Sequence, residues 1–228
     1  MKKLNLQVLF RMALLGLATM IWGLGFVGTR FTLTDYTPLW SNALRFVVAA
    51  VISVPLLFIF KQQKLSSAYL KPPLFCSLAL MFGLIAQTIG IAQTSMAKSG
   101  FLTSFYALFT PLMALLFLKN QHFKKAYWAL LVLAFAGVAL LCELRIDNIN
   151  QGDLWVLLSA VFFSVHILLT DRFAQYYGAV ELNSWQCLFM GLMSPVVAFS
   201  IDGATSLAPL ANWNFEGNPF WGFVILGL

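Results

Sequence analysis

Seven apolar runs, at 10–28, 42–60, 73–93, 99–118, 126–142, 154–170 and 182–201, fill most of this chain, each long enough to cross a bilayer as a helix. A hydrocarbon core ~30 Å thick takes roughly 20 apolar residues in a helix, because no water is present there to satisfy a backbone amide left unbonded. With 61% hydrophobic and 10% charged residues and a mean hydropathy of +0.85, too little polar side chain remains to cover a water-soluble domain. The pattern predicts an all-α fold, a polytopic bundle of membrane helices. An eighth run opens at Pro219 and has reached only about half a span at Leu228, so the chain is expected to stop inside an eighth helix.

The basic residues sit between the runs and alternate by side. Lys2, Lys3, Arg11, Lys61, Lys64, Lys71, Lys119, Lys124, Lys125 and Arg172 gather on one side, against Arg30, Lys98 and Arg145 on the other, with Arg45 inside the second run. The excess of Lys and Arg on cytoplasmic loops then predicts a cytoplasmic amino terminus for a multi-pass protein of the cell inner membrane. Asp35, Glu143, Asp147, Asp153, Asp202 and Glu216 lean outward, with Asp171 and Glu181 inside. The net charge of +6 thus reflects topology and contact with anionic lipid heads; nucleic acid is not an expected partner, since there is no soluble basic face. The first run carries Trp22 and is too long for an ordinary leader core, so it is expected to be a retained span and not a leader. Cys76, Cys142 and Cys187 share no ligand spacing and read as small apolar fillers. No metal or other cofactor is expected.

Sliding the chain against itself by 141 positions sets the first run on the sixth and the second on the seventh. Thr29 falls on Thr170, Tyr36 on Tyr177, Asn42 on Asn183, Ser53 on Ser194 and Phe58 on Phe199. The letters alone are close to chance; hydropathy pattern and loop lengths agree better. A five-helix unit crosses the membrane an odd number of times, so a second copy enters from the opposite side. Inverted repeats of this kind build secondary transporters, with the solute site near the midplane. The expected organisation is a first five-helix repeat over 1–142 and a partial second repeat over 143–228, part of a five-plus-five plan truncated in the eighth helix.

Ile21-Trp22-Gly23-Leu24-Gly25-Phe26-Val27 and Ala43-Leu44-Arg45-Phe46 resemble the opening motifs of EamA-type members of the drug/metabolite transporter superfamily. The fourth run with Leu108-Phe109-Thr110-Pro111-Leu112, the stretch Ala136-Gly137-Val138-Ala139-Leu140-Leu141, and Gly152-Asp153-Leu154 are similar to that family's fourth helix, fifth helix and second-repeat start. One departure stands out. Where the family usually carries Glu after the fourth helix, this chain has Lys119-Asn120. The resemblance implies a ten-helix inner-membrane carrier of small organic solutes, commonly an exporter of amino acids or other metabolites.

Polar side chains in hydrocarbon are costly, so their faces mark where protein or water replaces lipid. Ser99, Thr103, Tyr106 and Thr110 form one stripe of the fourth run; Gly83, Gln87, Gly90 and Thr94 form one on the third. The sixth gives Ser159, Phe163, His166 and Thr170, and the first gives Thr19, Trp22, Phe26 and Thr29, whereas the fifth is nearly featureless. One reading has runs one, three, four and six facing a shared cavity, with Trp22, Phe26, Tyr106 and Phe163 as apolar and stacking walls, Gln87 and Thr110 orienting polar groups, and His166 holding or passing a proton. The other has these small and hydroxylated residues packing helices together, with Gly83/Gly90 and Gly16/Gly23 at heptad spacing, and His166 bonded neutral to a neighbour. Arg45, one turn inside its run, either snorkels to the interface or anchors an anion. Pro111, Pro55 and Pro195 predict bends.

The function expected is secondary transport of small organic metabolites, amino acids or similar solutes, by alternating access, with export as the direction. No G-x-x-x-x-G-K-[ST] loop occurs. An embedded enzyme would need clustered His, Asp or Glu at one depth, and only His122 and His166 are present, so no catalytic residues are assigned. The partners are a small-molecule solute and membrane lipids; a homodimer stays open.

Overall fold

A computed structural model describes residues 6–60, 66–118, 123–141, 149–211 and 217–226. Every regular element among them is a helix: α1 (Leu6–Thr32), α2 (Pro38–Phe60), α3 (Ser67–Gln93), α4 (Met96–Ser104), α5 (Tyr106–Phe117), α6 (Lys125–Leu141), α7 (Gln151–Ala174), α8 (Ala179–Asp202), α9 (Ala208–Ala211) and α10 (Asn218–Leu226), with a 3-10 turn at Ala204–Leu207. Six of the spans are long and apolar enough to cross a membrane, counting α4 and α5 together as Met96–Phe117. The protein is a polytopic helical membrane bundle. The fifth run, expected as a full span over 126–142, gives in α6 a helix of 17 residues, ~26 Å long, short of the other six. Cys142, His122, Lys119-Asn120 and the loop charges Lys61, Lys64, Glu143, Arg145 and Asp147 lie outside the described residues.

Helix ends at the membrane edge leave unpaired amides, and short polar side chains close them. Ser66 Oγ accepts from the Tyr69 amide and Ser95 Oγ from the Lys98 amide, both at 3.2 Å. Asn150 and Asp153 cap α7 reciprocally, at 2.9 and 3.0 Å. Asp153 belongs to a wider knot: it accepts from Thr94 at 2.5 Å and pairs with Lys98 at 2.6 Å, tying the start of α7 to the end of α3 and the start of α4.

Prolines inside helices deprive the carbonyl four residues earlier of its partner. Two of those carbonyls are taken by tyrosine hydroxyls from other segments. Pro111 frees the Ala107 carbonyl, which accepts from Tyr127 Oη of α6 at 3.2 Å. Pro73 frees the Tyr69 carbonyl, which accepts from the Tyr177 hydroxyl. The fourth span also breaks, but at Phe105, where α4 ends and α5 begins.

The tightest pairings are α2 with α8, α3 with α7 and α1 with α10. Glycines permit them. A Cβ on Gly90 would lie 2.7 Å from the Gly152 carbonyl oxygen, and one on Gly222 would lie 2.7 Å from that of Gly28. A Cβ on Gly191 would stand 2.5 Å from Ala50 Cβ; these two positions are 141 apart in sequence. Tyr36 packs edge-on against Phe223 of α10, while Tyr177, also 141 away, packs on Tyr69 of α3 at 4.9 Å. Buried clusters occupy both ends of the α2–α8 pair, Tyr36, Leu39, Trp40, Ala43 and Ala198 at one and Leu57, Tyr69, Tyr177, Leu182 and Trp185 at the other. Phe46, Met81, Leu84, Phe163 and Met190 fill the middle. Gly16 and Gly23 meet no neighbour within 4 Å among the described residues, so their heptad spacing packs nothing here.

Candidate functional site

A cavity of about 870 Å³ opens between α1, α2, α3, α8 and α10, within the size range of small-molecule sites. Its walls are mainly apolar: Trp22 and Phe26 of α1, Val47, Val48 and Ile52 of α2, Leu80 and Leu84 of α3, and Phe220, Phe223 and Val224 of α10. The polar groups are few, namely Thr29, Ser53, Gln87, Asn183, Cys187 and a single charged side chain, Arg45.

Each sits where its helix puts it for a visible reason. Trp22 is 54% exposed and its ring meets Phe163 edge-on at 6.3 Å. Phe163 itself is buried behind Gly83, whose missing side chain makes the space for its ring. Gln87 is buried and donates from Nε2 to Thr103 Oγ1 of α4 at 3.0 Å, which pins the amide plane at the cavity wall. Arg45 holds its guanidinium carbon 5.3 Å from the Phe46 ring centroid, a cation–π placement. Beside it lies the Cys187 thiol, to which Asn183 Nδ2 donates at 3.9 Å.

Of the residues singled out from sequence, Trp22, Phe26 and Gln87 line this cavity and Phe163 backs it. Tyr106 packs against the middle cluster with Phe163. Thr110 Oγ1 is committed to the Tyr106 carbonyl at 2.7 Å, one turn back on its own helix. His166 donates from Nε2 to Gln186 Oε1 of α8 at 2.7 Å, with Thr170 Oγ1 3.2 Å from the same nitrogen. Tyr106, Thr110 and His166 stand off the cavity, and α2, α8 and α10 take the places that the polar stripes of the fourth and sixth runs had suggested for those helices. Asn183, Ser53 and Cys187 were not singled out; the repeat identities Asn42/Asn183 and Ser53/Ser194 were the available signal.

Among the described residues no acid lines the cavity, but two acids placed between the runs by the sequence, Asp153 and Glu181, are buried in the first turns of α7 and α8. Asp153 has its Lys98 and Thr94 partners. Glu181, in the first turn of α8, is 1% exposed and accepts from the Tyr69 hydroxyl. Among the described residues no three His, Cys, Asp or Glu side chains come together as metal ligands would, and nothing in the cavity forms a nucleophile–base pair. The arrangement can enclose a small solute; it carries no group set for covalent chemistry.

The chain is 27% identical over 187 residues to an uncharacterized transporter of Archaeoglobus fulgidus, covering 82% of this chain and 57% of that protein. It is 20% identical over 154 residues to an S-adenosylmethionine uptake transporter of Rickettsia felis, covering 68% of this chain and 52% of the relative. A Rickettsia bellii protein of the same name matches at 18% over 66% of this chain and 51% of its own length. The chain thus spans about half the length of the curated relatives it matches. One solved crystal structure superposes with a TM-score of 0.59 at 18% identity, over 93% of this chain and 74% of that one, which shows a shared fold. The model of the EamA-like transporter family matches residues 10–142, more than half of the sequence, and the chain belongs to that family.

Proposed function

We propose that this chain forms the first seven helices and the opening of the eighth of a ten-helix, inverted-repeat secondary carrier, and that the cavity between α1, α2, α3, α8 and α10 is its solute site. The observation that carries the reading is the cavity itself, a small-molecule-sized volume with apolar walls and a few convergent polar groups. The repeat reading draws support from the helix pairing. An inverted repeat exchanges the first span with the sixth, the second with the seventh and the third with the eighth. Under that exchange α2 against α8 maps onto itself, while α3 against α7 maps onto α10 against α1, and those are the tight pairs. Ala50 touching its counterpart Gly191 is what an axis between α2 and α8 requires. The family match over 10–142 falls within the proposed first repeat.

The solute is a small organic metabolite, and the protein is placed in the cell inner membrane with its amino terminus in the cytoplasm. A carrier with no covalent step runs either way along its gradient, so export and uptake share one site. The Rickettsia relatives are named S-adenosylmethionine uptake transporters, which makes S-adenosylmethionine the first solute to test, followed by amino acids. The experiment is counterflow in proteoliposomes holding the ten-helix protein. Saturable, self-competed uptake of one of these solutes is expected; flux linear in concentration, or none with any solute, refutes the carrier.

A further inference from the structure

The two repeats differ at the cavity. In the second, His166, Thr170 and Gln186 form a closed group, with His166 Nε2 bonded to Gln186 Oε1 at 2.7 Å and Thr170 Oγ1 3.2 Å away. The positions 141 residues earlier are Gly25, Thr29 and Arg45, and all three line the cavity. Where the second repeat places an imidazole, the first has no side chain. A Cβ built on Gly25 meets nothing within 4 Å. Where the second repeat has a neutral amide with its partner, the first has a guanidinium with no carboxylate partner among the described residues.

A cation held in a mostly apolar cavity needs a compensating charge or dipole, since loss of water is costly there. The neighbours supply little of it: the Phe46 ring face and the Cys187 thiol are weak partners. Among the described residues no acidic side chain lines the cavity. A guanidinium offers a planar fork of donors that matches a carboxylate in two hydrogen bonds. The same cavity is lined by Trp22, Phe26, Leu84 and Val224, walls that suit an apolar body.

We propose that Arg45, facing the volume left open by Gly25, is the anion-recognition point of the cavity, and that the solute presents a carboxylate on an apolar body. This rests on the carrier reading above and on the repeat that relates Gly25 to His166. Gln87 and Asn183 then contact the neutral polar part of the solute, and Gly25 is the specificity-determining position, because any side chain there occupies the carboxylate's place.

The test uses the full chain, purified in neutral detergent, and three matched probe pairs: 3-phenylpropionate, indole-3-acetate and L-phenylalanine, each against its primary amide. At least one acid is expected to bind tenfold or more tightly than its amide. Arg45→Gln removes that preference, and Arg45→Lys retains part of it. Gly25→His removes it while Arg45 is still present and the unliganded melting temperature holds, which separates lost recognition from lost fold. The proposal is overturned if no acid is preferred by the unmodified chain, or if the preference survives Arg45→Gln. Native mass spectrometry after incubation with phosphatidylglycerol addresses the other source of an anion: Arg45-dependent lipid that the acids do not displace assigns the guanidinium to lipid and also overturns it. The two readings fail differently. Full-rate counterflow by Arg45→Gln leaves the carrier standing without this site, whereas Arg45-dependent acid binding with no saturable flux leaves the site without the carrier.

Discussion

Replacing Gly90 by Ala tests whether the α3–α7 crossing is as close as the glycines there imply. The added Cβ would stand 2.4 Å from Val156 Cγ2, 2.7 Å from the Gly152 carbonyl oxygen and 3.0 Å from the Val156 amide nitrogen. Two of these three are backbone atoms, which cannot turn aside as a side chain does, so the helices must separate by roughly half an ångström along the crossing. Overpacking of this kind costs ~1–3 kcal/mol, and backbone obstruction argues for the upper end. Ala gains ~1 kcal/mol over Gly as a helix former, which leaves a net loss of about 2 kcal/mol. Gly100 of α4 is the control, because a Cβ there meets nothing within 4 Å, so Gly100→Ala is expected to stabilise by up to ~1 kcal/mol. Equilibrium unfolding in mixed SDS micelles, followed by circular dichroism, should separate the two variants by about 3 kcal/mol. Adding Val156→Ala to Gly90→Ala relieves the methyl contact and leaves the carbonyl contact, so it recovers only part of the loss. A separation below ~1 kcal/mol would refute the close crossing and with it the backbone argument.

Other expectations follow from single contacts. Tyr127→Phe should cost about 1 kcal/mol by leaving the Ala107 carbonyl unpaired, and nothing in a Pro111→Ala background, where the restored amide takes that carbonyl; an unfolding double-mutant cycle reads the difference. Lys98→Met should destabilise by about 2 kcal/mol because Asp153, 5% exposed, keeps its charge without its cation, and adding Asp153→Asn should recover part of this in the same assay. With Cys substituted at Lys124, an impermeant maleimide should fail to label intact cells and should label inverted vesicles; the reverse pattern refutes the orientation. In the ten-helix carrier, Trp22→Ala and Gln87→Ala should lower counterflow about tenfold or more, a change of ~1.4 kcal/mol in the relevant barrier, at normal membrane abundance, while Leu131→Ala on α6 should stay within about twofold.

The spans were legible because hydrocarbon leaves the backbone no alternative to internal hydrogen bonding, so length and apolarity decide. Rotation about each helix axis was not legible from the hydroxyls, for a reason visible in the bonds. Thr88, Ser164 and Ser194 each donate to the carbonyl four residues back on their own helix, at 2.8, 2.9 and 2.5 Å. A hydroxyl satisfied in this way can face protein or lipid, so a stripe of Ser and Thr does not by itself point at a cavity. Trp22 and Gln87 carry more direction, since the Gln87 amide bonds across to Thr103 of α4 and the Trp22 indole is too bulky to fold back on its own helix, and both line the volume found. The break at Phe105 was not legible either. Pro111 marks the freed carbonyl at Ala107, yet the helix divides two residues before that carbonyl, where Phe101, Phe105 and Phe135 crowd together at 4.7–6.2 Å between centroids.

Along the α2–α8 contact, the agreement between the two halves of the chain is structural. Tyr36 and Tyr177 close opposite ends of the α2–α8 pair, and Ala50 and Gly191 are small because the helices meet there. A two-fold scaffold needs such agreement, since a bulky change on the axis is felt by both halves at once. A solute is under no such constraint: it has no two-fold symmetry, so a site that holds one orientation of it must differ between the repeats. Gly25 against His166 and Arg45 against Gln186 are differences of that kind, one emptying a volume and the other leaving a charge beside it. Exchanging the pair tests the principle directly. Gly25→His with Arg45→Gln rebuilds in the first repeat the bonded pair of the second, and the double variant should be more stable than the sum of the two single changes predicts in an unfolding cycle, because the imidazole then gains an amide oxygen as partner. Additive effects of the two changes would mean that positions 25 and 45 do not face one another, and the correspondence between the repeats at this site would fall.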